Sequence, residues 1–463
     1  MNHKKNANVP RARRWMAVLV GIAAIVQPGC GKNEHASISG AKTISERSAQ
    51  PVGAKGRPLD WILVPQVGGT ILDEQIRNAQ RAVQKSMAQD VALEKLGWLF
   101  VAKARISFDS GYYKLAEQCA LSIESRDPTN AGALLLRGHV LHNLHRFKDA
   151  EPIARLLATQ RGSPMDFGLL GDVLMEQGRL DESVDAYQRM MDLRPDSRAY
   201  SRAAHVRWLK GDLSGAEEIM REAVGSVGRS DPEAAAWMNT RLAFYEFQLG
   251  RFADAHNSCA AALRLQADYP PALLLEGRMF LIEGKTAESV ARLEIAARSN
   301  PLPEYFWALA EALKVAANNE RALLAATMLT RRGQTDDPRT YSLYLATQRE
   351  QPELAVRLAC RELEQRADVT TYDALAWAQF AAGDLTSAQT NNIRARAEGT
   401  QDARIFLHSA AIATRAGEKV AAADFLKKTF ALRHLLWPSE RRQLENTMAE
   451  LGWQPSAGVA LIQ

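Results

Sequence analysis

Cysteine is scarce, with four in 463 residues, which excludes a disulfide-stapled scaffold. Long hydrophobic runs are missing as well. The apolar stretch from Trp15 to Val26 is about half the roughly 20 residues that a membrane-spanning helix needs. Glycine (29) and proline (18) stay at ordinary levels, so the chain is neither collagen-like nor dominated by linkers. Beyond Thr70 no run of alternating β-branched residues is long enough for a strand. There is no Gly-rich phosphate loop, no nucleophile elbow, no HExxH and no paired-carboxylate signature. These absences point away from an enzyme and give no reason to expect a cofactor. What remains, 46% hydrophobic and 24% charged residues, is the composition of a folded chain rather than of a disordered or polytopic one.

The charge balance, 58 Lys+Arg against 53 Asp+Glu, invites a nucleic-acid or membrane-surface reading until the position of the charges is taken into account. Residues 1–14 hold Lys4, Lys5, Arg11, Arg13 and Arg14 and no acid, and the short apolar run comes directly after them. A basic start and a short apolar core form an export signal. Next come Gln27, Pro28, Gly29 and Cys30, and the segment resembles a bacterial lipoprotein signal. That resemblance implies cleavage after residues 1–29, lipidation of Cys30, and, with Gly31 behind the cysteine, an outer-membrane anchor facing the periplasm. Gln27 and Pro28 depart from the usual Leu and Ala or Ser, and an uncleaved signal anchor is the alternative. Loss of residues 1–29 removes five positive charges and takes the formal charge from +5 to zero. A neutral chain lacks the long-range attraction that nucleic-acid binding uses, so no nucleic acid is expected. Residues 30–69 would be the lipidated cysteine and a flexible tether, of which residues 31–59 are too poor in large apolar groups to fold.

From about Thr70 the apolar spacing is helical throughout. Counting from starts at 97, 131, 164, 197, 236, 270, 303, 338, 369 and 403, the eighth position is Ala104, Gly138, Gly171, Ala204, Ala243, Gly277, Ala310, Leu345, Ala376 and Ala410. The twentieth is Ala116, Ala150, Ser183, Ala216, Ala255, Ser289 and Ala322, then an unclear residue, then Ala388 and Ala422. Turn glycines recur at 111, 178, 211, 250, 284, 383 and 417, and prolines close units at 128, 195, 232 and 301. This pattern resembles the tetratricopeptide repeat, with its period of 34 residues. The resemblance implies an all-α solenoid, a right-handed superhelix of about ten helical hairpins over residues 97–436, in which each unit contacts only its neighbours. A capping helix within 70–96 and a C-terminal capping helix and tail at 437–463 complete the expected layout, with the helices near 71–88 and 438–452. The unit over 338–368, with Leu345 at the small position and Pro352 at the turn, is expected to stack irregularly.

In the family, positions 2, 5, 9, 12 and 13 of the first helices line the concave groove. Carried over, these include Trp98, Arg105, Phe108, His139, His142, Trp208, Trp237, Phe244, Phe247, Arg278, Trp307, Trp377 and Phe380. Aromatic and arginine side chains are what interface hot spots are made of, although aromatics at helical spacing also serve as core. The expected function is a lipid-anchored scaffold in an envelope assembly or export complex, binding partner proteins through a peptide or helix in the groove. It would touch the membrane only through its lipid. Glycan binding in exopolysaccharide export is a second reading, since stacked aromatics hold sugar rings. A third is a metal-binding protein or enzyme accessory built on His139, His142 and His145, although no cysteine or carboxylate shares that motif. Cys119, Cys259 and Cys360 read as buried small apolar residues.

Overall fold

The computed structural model describes residues 58–85, 87–228 and 231–455. The signal segment, Cys30 and most of the expected tether lie outside the described residues. Among the described residues there are 23 α-helices, a 3-10 turn at Arg433–Leu435 and no strand.

Ten antiparallel helix pairs, numbered here as units 1 to 10, form the body. They are Gln89–Ser107 with Gly111–Glu124, Ala131–Asn143 with Phe147–Gln160, Pro164–Glu176 with Leu180–Leu193, Ser197–Leu209 with Leu213–Ser226, and Pro232–Gln248 with Phe252–Leu265. The second half continues with Pro270–Ile282 and Thr286–Ser299, Pro303–Val315 and Asn319–Asp336, Pro338–Gln348 and Pro352–Leu363, Val369–Ala381 and Leu385–Ala395, and Ala403–Arg415 and Lys419–Ala431. Five first helices open on proline, where the missing N–H costs no hydrogen bond and φ is already helical. Unit 1 begins at Gln89, inside the stretch expected as a cap, because Leu93, Leu96 and Phe100 extend its buried face upstream. Helix Ile71–Lys85 covers that unit, and Asp73 is tied to Lys103 at 2.7 Å. At the other end Pro438–Leu451 packs on unit 10.

The small residues do what their spacing predicts. All ten at the eighth position are buried, and so are the nine assigned at the twentieth. Where serine replaces alanine it contributes a bond: Ser183 Oγ donates to the Gly171 carbonyl and Ser289 Oγ to the Gly277 carbonyl, each at 2.8 Å. The unclear residue of unit 8 is Ala355, whose carbonyl accepts from Ser342 Oγ at 2.7 Å. That unit reaches the same packing with a shorter first helix, 11 residues in place of the 13 of units 3 and 4.

The turn glycines need one correction. Every hairpin has a residue with left-handed backbone, namely Phe108, His145, Gly178, Gly211, Gly250, Gly284, Ala317, Arg349, Gly383 and Gly417, and the turn of unit 8 has a second, Gln351. Gly111 is not among them; it is the first residue of the next helix. The left-handed residue of unit 1 is Phe108, with φ of 56°.

A larger correction concerns which units touch. Phe108 of unit 1 packs against Tyr269, between units 5 and 6, with ring centroids 6.2 Å apart, and Arg105 pairs with Glu233 of unit 5. The turn of unit 3 docks on the loop before unit 9: Ala367 N–H donates to the Glu176 carbonyl at 3.0 Å and Arg366 pairs with the Glu176 carboxylate at 2.5 Å. Thr400 Oγ1, before unit 10, donates to the Leu209 carbonyl of unit 4 at 2.6 Å, beside a Lys210–Glu398 pair. His434 lies 3.0 Å from the Phe247 carbonyl of unit 5. Units therefore contact others four to six places along, and successive turns of the superhelix lie against each other. The expectation of neighbour-only contact fails because the exposed polar turns of units 3 and 4 meet loops that complete their unpaired backbone groups.

Candidate functional site

Close winding brings first helices of distant units around one shared, partly open groove, a channel. Three cavities of about 750, 460 and 520 Å³ lie along it. Arg241 lines all three, and Trp208, Trp237, His205, Phe244 and Arg339 each line two. First helices face the axis because their small residues turn outward toward the second helices, leaving the opposite stripe inside.

The first cavity belongs to units 1 to 5. Trp98 packs at a tilt against His139 with centroids 5.4 Å apart, and the His139 carbonyl accepts from Asn143 at 2.8 Å. Asp172 receives Arg202 Nε at 2.7 Å and Tyr187 Oη at 2.7 Å. Burial alone would raise the Asp172 carboxyl, but the Arg202 guanidinium more than offsets it and holds it below the ordinary carboxylate range. The histidines move the other way: burial, helped by neighbouring positive charge, pushes His139 and His205 down to about 3. They are neutral at physiological pH. Among the described residues no group of three or more His, Cys, Asp or Glu is arranged to hold a metal ion.

Around the midpoint Trp208, His205 and Phe244 form an aromatic wall. Trp208 stacks on His205 at 5.4 Å and 20° and donates to Gln248 Oε1 at 2.7 Å. Trp237 keeps 38% of its surface open.

Of the thirteen expected groove residues, Trp98, Arg105, His139, His142, Trp208, Trp237, Phe244 and Arg278 line the channel. Five do not. Phe108 lies in the turn contact with Tyr269. Phe247 and Trp307 are core, at 0% and 2% exposure, and Trp377 is 1% exposed, sandwiched between His408 and Phe380. Trp377 and Phe380 border a separate cavity of about 390 Å³. The carried-over positions fail here because adjoining units and the C-terminal helix cover these faces. His145, with φ of 57°, stands in the turn of unit 2 and stacks on Phe147, outside the channel lining. Cys119 and Cys259 are buried as expected, but Cys360 is only partly so.

The reading by family position passes over most of the arginines: Arg198, Arg202, Arg241, Arg339, Arg366, Arg394 and Arg404 also line the channel. The second position is itself one of the family's groove positions, so three of them were within reach of that reading, and two more share a repeat position outside it. Arg198, Arg339 and Arg404 hold the second position of their units, and Arg202 and Arg241 the sixth. Arg366 and Arg394 carry no such mark, since winding alone brings them to the axis.

The description "Tetratricopeptide repeat" belongs to the family model that matches residues 169–239, from unit 3 into unit 5, where small residues, turn glycines and helix pairs coincide. This is a tetratricopeptide-repeat protein. No curated protein matches it. Among solved structures, tetratricopeptide folds resemble it loosely. The human IFIT1 dimer with PPP-AAAA is 14% identical, with 70% of this chain and 76% of that one covered at a TM-score of 0.47. The pilF protein of Pseudomonas aeruginosa is 16% identical, covering 48% and 99% at 0.38. A tetratricopeptide repeat protein from Parabacteroides merdae is 17% identical, covering 55% and 100% at 0.30. Likenesses this distant carry no argument about function, which leaves the tetratricopeptide array and the chemistry of its channel.

Proposed function

We propose that this protein is an exported, lipid-anchored, non-catalytic scaffold that holds a segment of a partner protein in its axial channel. The observation that carries the reading is the run of three cavities along one axis, lined by open aromatic faces and fixed arginines. A preformed wall lowers the ordering cost of binding, and Trp, Tyr and Arg give the largest return per side chain at protein interfaces. The cavities bear on units 1 to 10, so an extended or helical segment suits them better than a globular surface. Export and lipid attachment are supported by the residue pattern through Cys30. No described helix is long and apolar enough to cross a membrane. The tether would hold the array at the outer membrane, facing the periplasm, within an envelope assembly or export complex.

A photo-cross-linking residue at Trp237 or Phe244, compared with one at Leu323, which is 69% exposed on the second helix of unit 7, tests the channel. Envelope extracts should yield one defined cross-linked partner from the two channel positions and none from Leu323. Equal labelling from all three, or none from the channel, rejects the reading. Metabolic palmitate labelling tests the anchor: wild type is labelled and Cys30→Ala is not. An unlabelled wild type ends that part.

A further inference from the structure

Five channel arginines have acidic partners: Arg105 with Glu233, Arg202 with Asp172, Arg339 with Asp368, Arg366 with Glu176 and Arg404 with Glu440. Arg241 and Arg278, on the first helices of units 5 and 6, have no carboxylate partner among the described residues, and both line the cavity of about 520 Å³. Arg241 is fixed rather than mobile. Its guanidinium lies 5.9, 4.9 and 5.1 Å from the ring centroids of Trp208, Phe244 and Tyr245, and Nη2 donates to Tyr245 Oη at 3.2 Å. Nη2 also lies 3.4 Å from His205 Nδ1, and the Nε and Nη1 hydrogens have no acceptor among the described residues. Arg278 rests on Trp437, 4.6 Å from the ring centroid, and donates to the Leu435 carbonyl.

A guanidinium walled in by protein without a counter-charge is unfavourable, and two facing one cavity make a site for negative charge. The cavity's own acids do not meet that need. Glu440 is bonded to Arg404 and to the Trp437 amide, and Asp402 accepts from the amides of Arg404 and Ile405. Glu304 alone is uncommitted. It opens into the cavity without a hydrogen bond, and crowding by protein, with the Asp337 charge, pushes its carboxyl up.

We propose that the segment held in the channel is acidic: Asp or Glu side chains pair with Arg241 and Arg278, and an adjacent aromatic or large apolar residue lies on Trp237. The charge-assisted bonds supply specificity, and the ring platform keeps the guanidinium in place before the ligand arrives. This rests on the channel being a peptide site.

The test selects random dodecapeptides on the full chain by phage display, then measures the best synthetic peptide by fluorescence anisotropy. Asp and Glu should be enriched beside an aromatic residue. Arg241→Gln or Arg278→Gln should each weaken binding roughly tenfold or more, and added salt should weaken wild type more than either variant. Arg241→Lys, which keeps the charge, should retain the acidic preference, and unchanged melting temperatures show that the variants fold. Selected peptides without acids, or affinity unmoved by both glutamine variants while Trp237→Ala still weakens it, overturn the anionic site and leave the peptide channel standing. No selected peptide overturns both. Binding of oligogalacturonate or polyuridylate in place of any peptide also overturns both and assigns the channel to a different polymer.

Discussion

Gly171 shows how much one residue decides. A Cβ built there would stand 2.3 Å from Tyr187 Cε1, and Tyr187 cannot retreat because its hydroxyl is held by Asp172. Gly171→Ala should therefore cost about 1–3 kcal/mol by overpacking, read as a lower urea midpoint at unchanged slope. The small-residue rule was legible in sequence; the reason glycine rather than alanine stands here was not, because it depends on a tyrosine sixteen positions on. The channel histidines make a second residue-scale prediction. His139 and His205 titrate near 3 in the fold against an ordinary value of about 6.5. As pH falls below about 6.5 the unfolded chain takes up protons that the folded chain refuses. Stability should be flat above pH 7 and decline toward pH 4.5, by at most about 1.4 kcal/mol per pH unit for each histidine and less where channel water reaches the ring. Thermal melts should show this decline, and the pair His139→Gln and His205→Gln should reduce it, leaving the part carried by His142, His145 and His434, which burial also pushes down. Asp172, held low by Arg202, adds its own loss only at more acidic pH.

At the scale of the hairpin, the turn explains which units the sequence pattern described well. Six turns place glycine at the left-handed residue, and four place Phe108, His145, Ala317 and Arg349 there. A side chain in that conformation carries roughly 1 kcal/mol of strain or more. Ala317→Gly, at φ of 55°, should raise stability by about 0.5–1 kcal/mol, and calorimetry would show a higher melting temperature with unchanged helicity. Unit 8 was irregular by sequence because it has Leu345 at the small position and Pro352 at the turn. Pro352 at the helix start and Ser342 bonded to the Ala355 carbonyl restore the usual packing. The hairpin is thus specified by a few positions with alternative solutions, and only the common solution is visible as a repeat.

The whole molecule depends on contacts between turns of the superhelix. Gly178, with φ of 73°, brings its backbone against the Ala367 carbonyl, and a Cβ there would lie 2.2 Å from that oxygen. Gly211 meets the Gly399 carbonyl in the same way at 2.4 Å. Substituting both with alanine should part the turns while leaving each hairpin intact. Small-angle scattering should show a larger radius of gyration, and acrylamide should quench the channel tryptophans more strongly, with the far-ultraviolet spectrum unchanged. An unchanged radius would show that unit-to-unit stacking alone sets the winding.

By itself the sequence determined the repeat, because small residues, turn residues and prolines act over distances of a few residues to one hairpin. It also marked Trp98, His139 and Trp237 as facing the axis, since a helix face is set by 3.6-residue spacing. Whether an inward face meets open space or another turn of the chain is different in kind. That depends on how small rotations accumulate over five units, so Phe247, Trp307 and Trp377 became core while Arg366, from a linker, reached the axis. The tertiary structure alone decided that the groove is wound into a channel and that Arg241 and Arg278 stand in it without an ion-pair partner.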